Sequence, residues 1–81
     1  LGNPYPNPST GLFSVPVRLP QVAQWTLGVY DLTGRLVARS SGTGTVTELF
    51  SAGDAGMSTG VYLVRLASGG SSWTRRLVLI R

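Results

Sequence analysis

The side chains able to do acid–base or nucleophilic chemistry are few: the carboxylates Asp31, Glu48 and Asp54, scattered serines and threonines, and neither histidine nor cysteine. Lack of histidine removes the usual general base near neutral pH, the Ser/His/Asp and Cys/His arrangements, and the commonest zinc ligand. Lack of cysteine removes disulfides and thiolate metal sites, and leaves the compartment open. A glycosidase needs two carboxylates whose surroundings push their pKa values apart. Asp31 falls at an expected turn and Asp54 in a Gly/Ala/Ser loop, with nothing beside them to do that. The chain therefore reads as a non-enzyme with no cofactor and no metal site.

Arginine is the other chemically distinctive residue. The net charge of +4 comes from arginines at 18, 35, 39, 65, 75, 76 and 81, set against the three acids and without any lysine. A basic balance raises the question of nucleic acid or an anionic surface. The arginines are dispersed, and no basic helix or aromatic-rich RNA-binding signature accompanies them, so nucleic acid is not expected. Solvated strand faces account for most of them, with weak attraction to an anionic glycolipid as a further expectation.

The elements that position these residues are strands. With 42% hydrophobic and 12% charged residues, the chain is too apolar for a disordered tail. At 81 residues it is read as one domain, 1–81, with a proline-rich lead-in over 1–10. The start at Leu1 suggests a piece of a longer polypeptide. Helical spacing never persists, whereas strand-like runs recur between turn signals. In "LFSVPVRL", Phe13, Val15, Val17 and Leu19 alternate with Ser14, Pro16 and Arg18, and Pro16 marks an edge or bulged strand. "WTLGVYDLTGRLVARS" reads as a hairpin, Trp25 to Tyr30 and Arg35 to Ser40. Asp31 accepts backbone hydrogen bonds across its turn, and Gly34 supplies the left-handed residue. A strand over Thr45 to Phe50 follows, then a loop, "SAGDAGMSTG", expected to cross the surface between two sheets.

"VYLVRLAS" and "SSWTRRLVLIR" flank Gly69-Gly70 as a second hairpin. Tyr62, Val64 and Leu66 should face inward. In the second arm "LVLI" is apolar at four consecutive positions, so periodicity neither chooses between Leu77/Leu79 and Val78/Ile80 as the core-facing pair nor excludes burial on both faces. The count is six or seven strands with no helix, so the expected fold is all-β, a small two-sheet sandwich of immunoglobulin-like type rather than a barrel. At the N-terminus, Pro4, Pro6 and Pro8 delete successive donors on one side of an extended segment. Asn3, Tyr5 and Asn7 keep theirs, as a one-sided edge strand would require.

The opening "YPNP", the central "VYDLTGRLV", the later "GVYLVRL" and the ending "TRRLVLIR" come in an order that resembles the type A C-terminal sorting domain of the type IX (Por) secretion system. The resemblance spans almost the whole chain. It implies a seven-stranded β-sandwich that acts as a signal on exported proteins. It also implies partners: an outer-membrane secretion translocon, a sortase-like protease, an N-terminally fused cargo domain such as a hydrolase, and anionic lipopolysaccharide as an attachment point. The implied route runs through the periplasm to the cell surface or the medium. The matching residues are Pro6, Asn7 and Pro8 of the opening, Asp31 and Gly34 of the central turn, Gly60 and Tyr62 of the later motif, and Arg75 and Arg76 near the end. One departure is that such domains often end in lysines, whereas this chain has only arginine, which keeps charge but loses a lysine-specific contact.

Each matched residue also has a structural reading. Gly34 and Gly60 would serve positive φ or a sharp start to a strand, and Tyr62 would be a core residue with its hydroxyl at the rim. The terminal "RRLVLIR" would be a last strand whose edge is open to strand addition. Other functions remain in view: a carbohydrate-binding module using Trp25, Trp73 and Tyr30 as a stacking platform, or a passive fibronectin-like spacer.

Overall fold

A computed structural model describes all 81 residues and shows two stacked antiparallel sheets without a helix. The strands are β1 (Leu12–Val17), β2 (Gln24–Asp31), β3 (Leu36–Thr43), β4 (Val46–Ser51), β5 (Gly60–Ser68) and β6 (Ser71–Leu79). One sheet holds β1 and β4, and the other has the order β3-β2-β5-β6. Alternation builds the core. Phe13, Val15 and Val17 of β1 face Trp25, Leu27 and Val29 of β2, Tyr62, Val64 and Leu66 of β5, and Leu77 and Leu79 of β6, all buried. Phe13 also stacks on Phe50 of β4 at 5.3 Å between ring centroids. The open register of the last strand is thereby settled: Leu77 and Leu79 are inside, and Ile80 is exposed.

The strand count is six rather than seven. The seventh place is taken by the N-terminal segment, which is too interrupted by proline to form a ladder and makes only isolated bridges, Tyr5 to Ser14 and Ser9 to Leu79. The strand at Leu12 ends at Val17, because Pro20 and the turn around Gln21 and Val22 follow. The Arg35 strand starts one residue later, at Leu36, and runs on to Thr43, with a register shift opposite Val29 and Tyr30. The loop after β4 does more than cross the surface. Ala52 and Met57 are buried in the core cluster, and the Met57 amide donates to the Ala52 carbonyl at 2.8 Å. A two-stranded sheet cannot cover a four-stranded one alone, and this loop fills part of the difference.

Candidate functional site

The registers bring distant motifs to one end of the sandwich. Asp31 at the end of β2 lies opposite Tyr62. Gly60 at the start of β5 lies opposite Leu79 near the end of β6, and Ser9 bridges to Leu79 from the other side. The opening, the central turn and the later motif therefore lie at the same end although they are dispersed in sequence, with β5 and β6 between Asp31 and the opening.

The N-terminal segment clasps this end. Residues 2–5 run along β1: the Gly2 amide donates to the Pro16 carbonyl at 2.9 Å, and Tyr5 and Ser14 exchange both backbone bonds. The chain then passes to the other sheet. The Asn7 carboxamide stands beside β6 as a peptide unit would, accepting from the Val78 amide through Oδ1 and donating through Nδ2 to the Arg76 carbonyl, both at 2.9 Å. Ser9 continues the contact, donating its amide to Val78 and accepting from the Ile80 amide, each at 2.8 Å. Its hydroxyl is fully buried and donates to the Leu12 carbonyl at 2.8 Å. Pro6 and Pro8, both preceded by cis peptide bonds, flank this carboxamide and are exposed.

The last residue is held in a similar way. The Thr59 hydroxyl accepts from the Arg81 amide at 2.8 Å and donates to the Arg81 carbonyl at 3.1 Å, while the Arg81 guanidinium donates to the Met57 carbonyl at 2.6 Å. These contacts correct one expectation. In an antiparallel edge strand only alternate residues aim their N–H and C=O groups outward, and at Arg76, Val78 and Ile80 the clasp already occupies such groups. The terminal half of the last strand is not an open edge.

The central turn has the expected chemistry. Asp31 Oδ1 accepts from the amides of Thr33 (2.9 Å) and Arg35 (3.0 Å) and from the Thr33 hydroxyl (2.6 Å). Oδ2 pairs with the Arg35 guanidinium at 3.2 Å. The Thr33 hydroxyl, with the Arg35 amide behind it, holds the Asp31 carboxyl below its ordinary range, since each bond favours the ionised form. Gly34 sits at φ +87°, a conformation that side-chain-bearing residues avoid, and its amide closes the turn onto the Asp31 carbonyl at 3.0 Å.

Tyr62 is buried in the core, and its hydroxyl donates to the Ser58 carbonyl at 2.6 Å, pinning the end of the preceding loop. Of the two readings of Gly60, positive φ does not hold: the residue stands at the first position of β5 without one, and an added Cβ would meet only the Tyr62 ring, at 3.9 Å. Arg75 and Arg76, adjacent in sequence, lie on opposite faces of β6. Arg76 is exposed on the outside, while Arg75 follows the parity of buried Leu77 and donates to the Thr74 carbonyl at 3.0 Å. The structure does not unite them as one basic cluster.

Ser9, Thr59 and Arg81 complete this end and were not legible as parts of it. Ser9, a small hydroxyl residue after a proline, signals a turn, and only the fold shows that its backbone bonds to Val78 and Ile80 and that the Thr59 hydroxyl holds the backbone of Arg81. The aromatic platform is also corrected. Trp25 is buried with its indole N–H on the Gly44 carbonyl at 3.0 Å. Tyr30 lies on the opposite face of the same strand, because five positions separate the two residues.

No curated protein and no solved structure matches the chain. The family model described as the secretion system C-terminal sorting domain matches residues 3–80. The chain accordingly belongs to the family of C-terminal sorting domains of type IX secretion.

Proposed function

We propose that residues 1–81 act as one non-enzymatic sorting unit, fused behind a cargo domain and read in folded form by the outer-membrane translocon after transit through the periplasm. Family membership marks the chain as a type IX sorting signal with a cell-surface or extracellular destination. In this reading a sortase-like protease acts on the delivered protein, and cargo is released or attached to anionic lipopolysaccharide. The match over residues 3–80 carries the proposal. The convergence of Asn7, Asp31, Gly60 and Tyr62 on one end supports recognition of a surface rather than of a linear peptide. Pro6, Pro8 and Gly34 form the exposed outline of that end, and Arg76 borders it on the outer face.

The test is a reporter carrying an inner-membrane export signal and followed by residues 1–81, expressed in a host with working type IX machinery. Surface or extracellular reporter is expected, with periplasmic retention in a translocon-deficient strain. Retention in both strains would make the chain a passive spacer.

A further inference from the structure

The outer face of the four-stranded sheet carries a pattern that the clasped end does not explain. Leu36, Tyr30 and Leu63 are neighbours across β3, β2 and β5 on this face. Leu32, on the adjoining turn, is 68% exposed, Leu36 45% and Leu63 37%. The next row holds Arg39 and Arg65, which flank Gly28, and Arg76 lies diagonally from Arg65 on β6. Gly28 has no room for a side chain, since an added Cβ would stand 2.8 Å from the Tyr30 ring. The Tyr30 ring thus lies across the sheet, and a cleft of about 260 Å³ opens beside it toward Leu63, Arg65 and Thr74.

Charge decides what this face can receive. Arg39 and Arg65 are separated by two strand spacings, roughly 10 Å, and Arg65 and Arg76 by roughly 7–8 Å. These distances are comparable with the screening length at physiological salt, about 8 Å, so the field of Arg65 overlaps those of Arg39 and Arg76 on either side of it. No carboxylate on the face offsets them. Asp31, at its border, is engaged by Arg35, Glu48 belongs to the other sheet, and Asp54 lies in the loop before β5. Tyrosine and unpaired arginine are enriched at protein contacts, and the exposed leucines beside them add apolar area. The face spans about four strands by six residues, roughly 400 Å², against roughly 800 Å² per partner in a stable complex, so contact here is brief and salt-sensitive.

The geometry points to this face as the docking surface for an acidic partner protein that places carboxylates around an apolar side chain. The assignment rests on the sorting reading and names the surface through which the machinery would hold its cargo. Its test uses the reporter fusion in a type IX-competent host. One variant is Arg39→Gln, Arg65→Gln and Arg76→Gln together. The control, Arg18→Gln with Val22→Glu and Leu49→Glu, changes net charge equally at exposed positions elsewhere. In parallel, a photoreactive residue at position 63, and separately at position 49, reports the neighbour in living cells.

The expected result is at least a tenfold loss of export for the triple variant, with the control unaffected and the purified triple variant still folded. The position-63 adduct should fall on a peptide rich in Asp and Glu, and position 49 should yield no such adduct. Unchanged export of the triple variant, or a position-63 adduct with lipid or with a second copy of the chain, overturns the assignment. Failure of the native fusion itself to leave the periplasm overturns the sorting reading instead.

Discussion

The Asn7 carboxamide supplies both a donor and an acceptor to the rim of β6, which the flanking Pro6 and Pro8, lacking an N–H, cannot do. Asn7→Ala removes both bonds, and at roughly 0.5–1.5 kcal/mol each the expected loss is about 1–3 kcal/mol. Urea denaturation measures that loss, and faster hydrogen exchange at the Val78 amide locates it. Asp31 makes a different prediction. Its folded pKa lies below the ordinary value, so its stabilisation is fully present above about pH 3.9 and fades as pH falls through the lowered value. Stability measured from pH 6 down to pH 2 should therefore decline in the lowest part of that range. Asp31→Asn should flatten this limb, and an identical acid limb in the variant would contradict the assignment. This turn was legible from sequence because its chemistry is local. Asn7 was legible as a motif residue, but its bonds to β6 were not, because its partners lie beyond sixty positions of intervening chain and only the fold brings them near.

Among the elements, β5 follows its sequence pattern because strict alternation admits one register when one face is buried, and the Asp31 hairpin follows its own up to the register shift at Val29 and Tyr30. The last strand was ambiguous since its apolar run fits either register, and the buried pair is chosen by long-range contact: Leu77 lies opposite buried Tyr62. The lead-in was read as able to pair on one side, as Tyr5 does with Ser14. Its crossing to the second sheet carries no local signal. Removing residues 1–9 would uncover the rims of β1 and β6 together. Free strand edges promote association, so the truncated chain should form dimers or larger species by light scattering at concentrations where the full chain is monomeric. Substituting Pro4, Pro6 and Pro8 with alanine restores donors but leaves Asn7 and Ser9 in place, and should raise association less. A monomeric truncated chain would mean that the clasp is not what keeps these edges apart.

At the scale of the whole molecule, the small core sets how the signal fails. A chain of 81 residues at roughly 0.05–0.15 kcal/mol per residue has about 4–12 kcal/mol of stability. Leu27 and Leu79 are fully buried, on strands separated by β5 in the sheet order. Each leucine-to-alanine change costs about 2–5 kcal/mol, and changes at sites without shared partners add approximately. With a margin in the middle of that range, about 8 kcal/mol, one substitution leaves most molecules folded, whereas the pair at roughly 4–10 kcal/mol can consume the whole margin. If the machinery reads the folded surface, export of a fused reporter should track the folded fraction. It should be near native for either single variant and collapse for Leu27→Ala with Leu79→Ala, although every exposed motif residue is unchanged. Circular dichroism of the purified variants at the growth temperature provides that fraction, and immunoblots of intact chain separate a sorting defect from proteolysis. Efficient export of an unfolded double variant would show that the signal is a linear segment, and that the convergence of Asn7, Asp31 and Tyr62 serves stability alone.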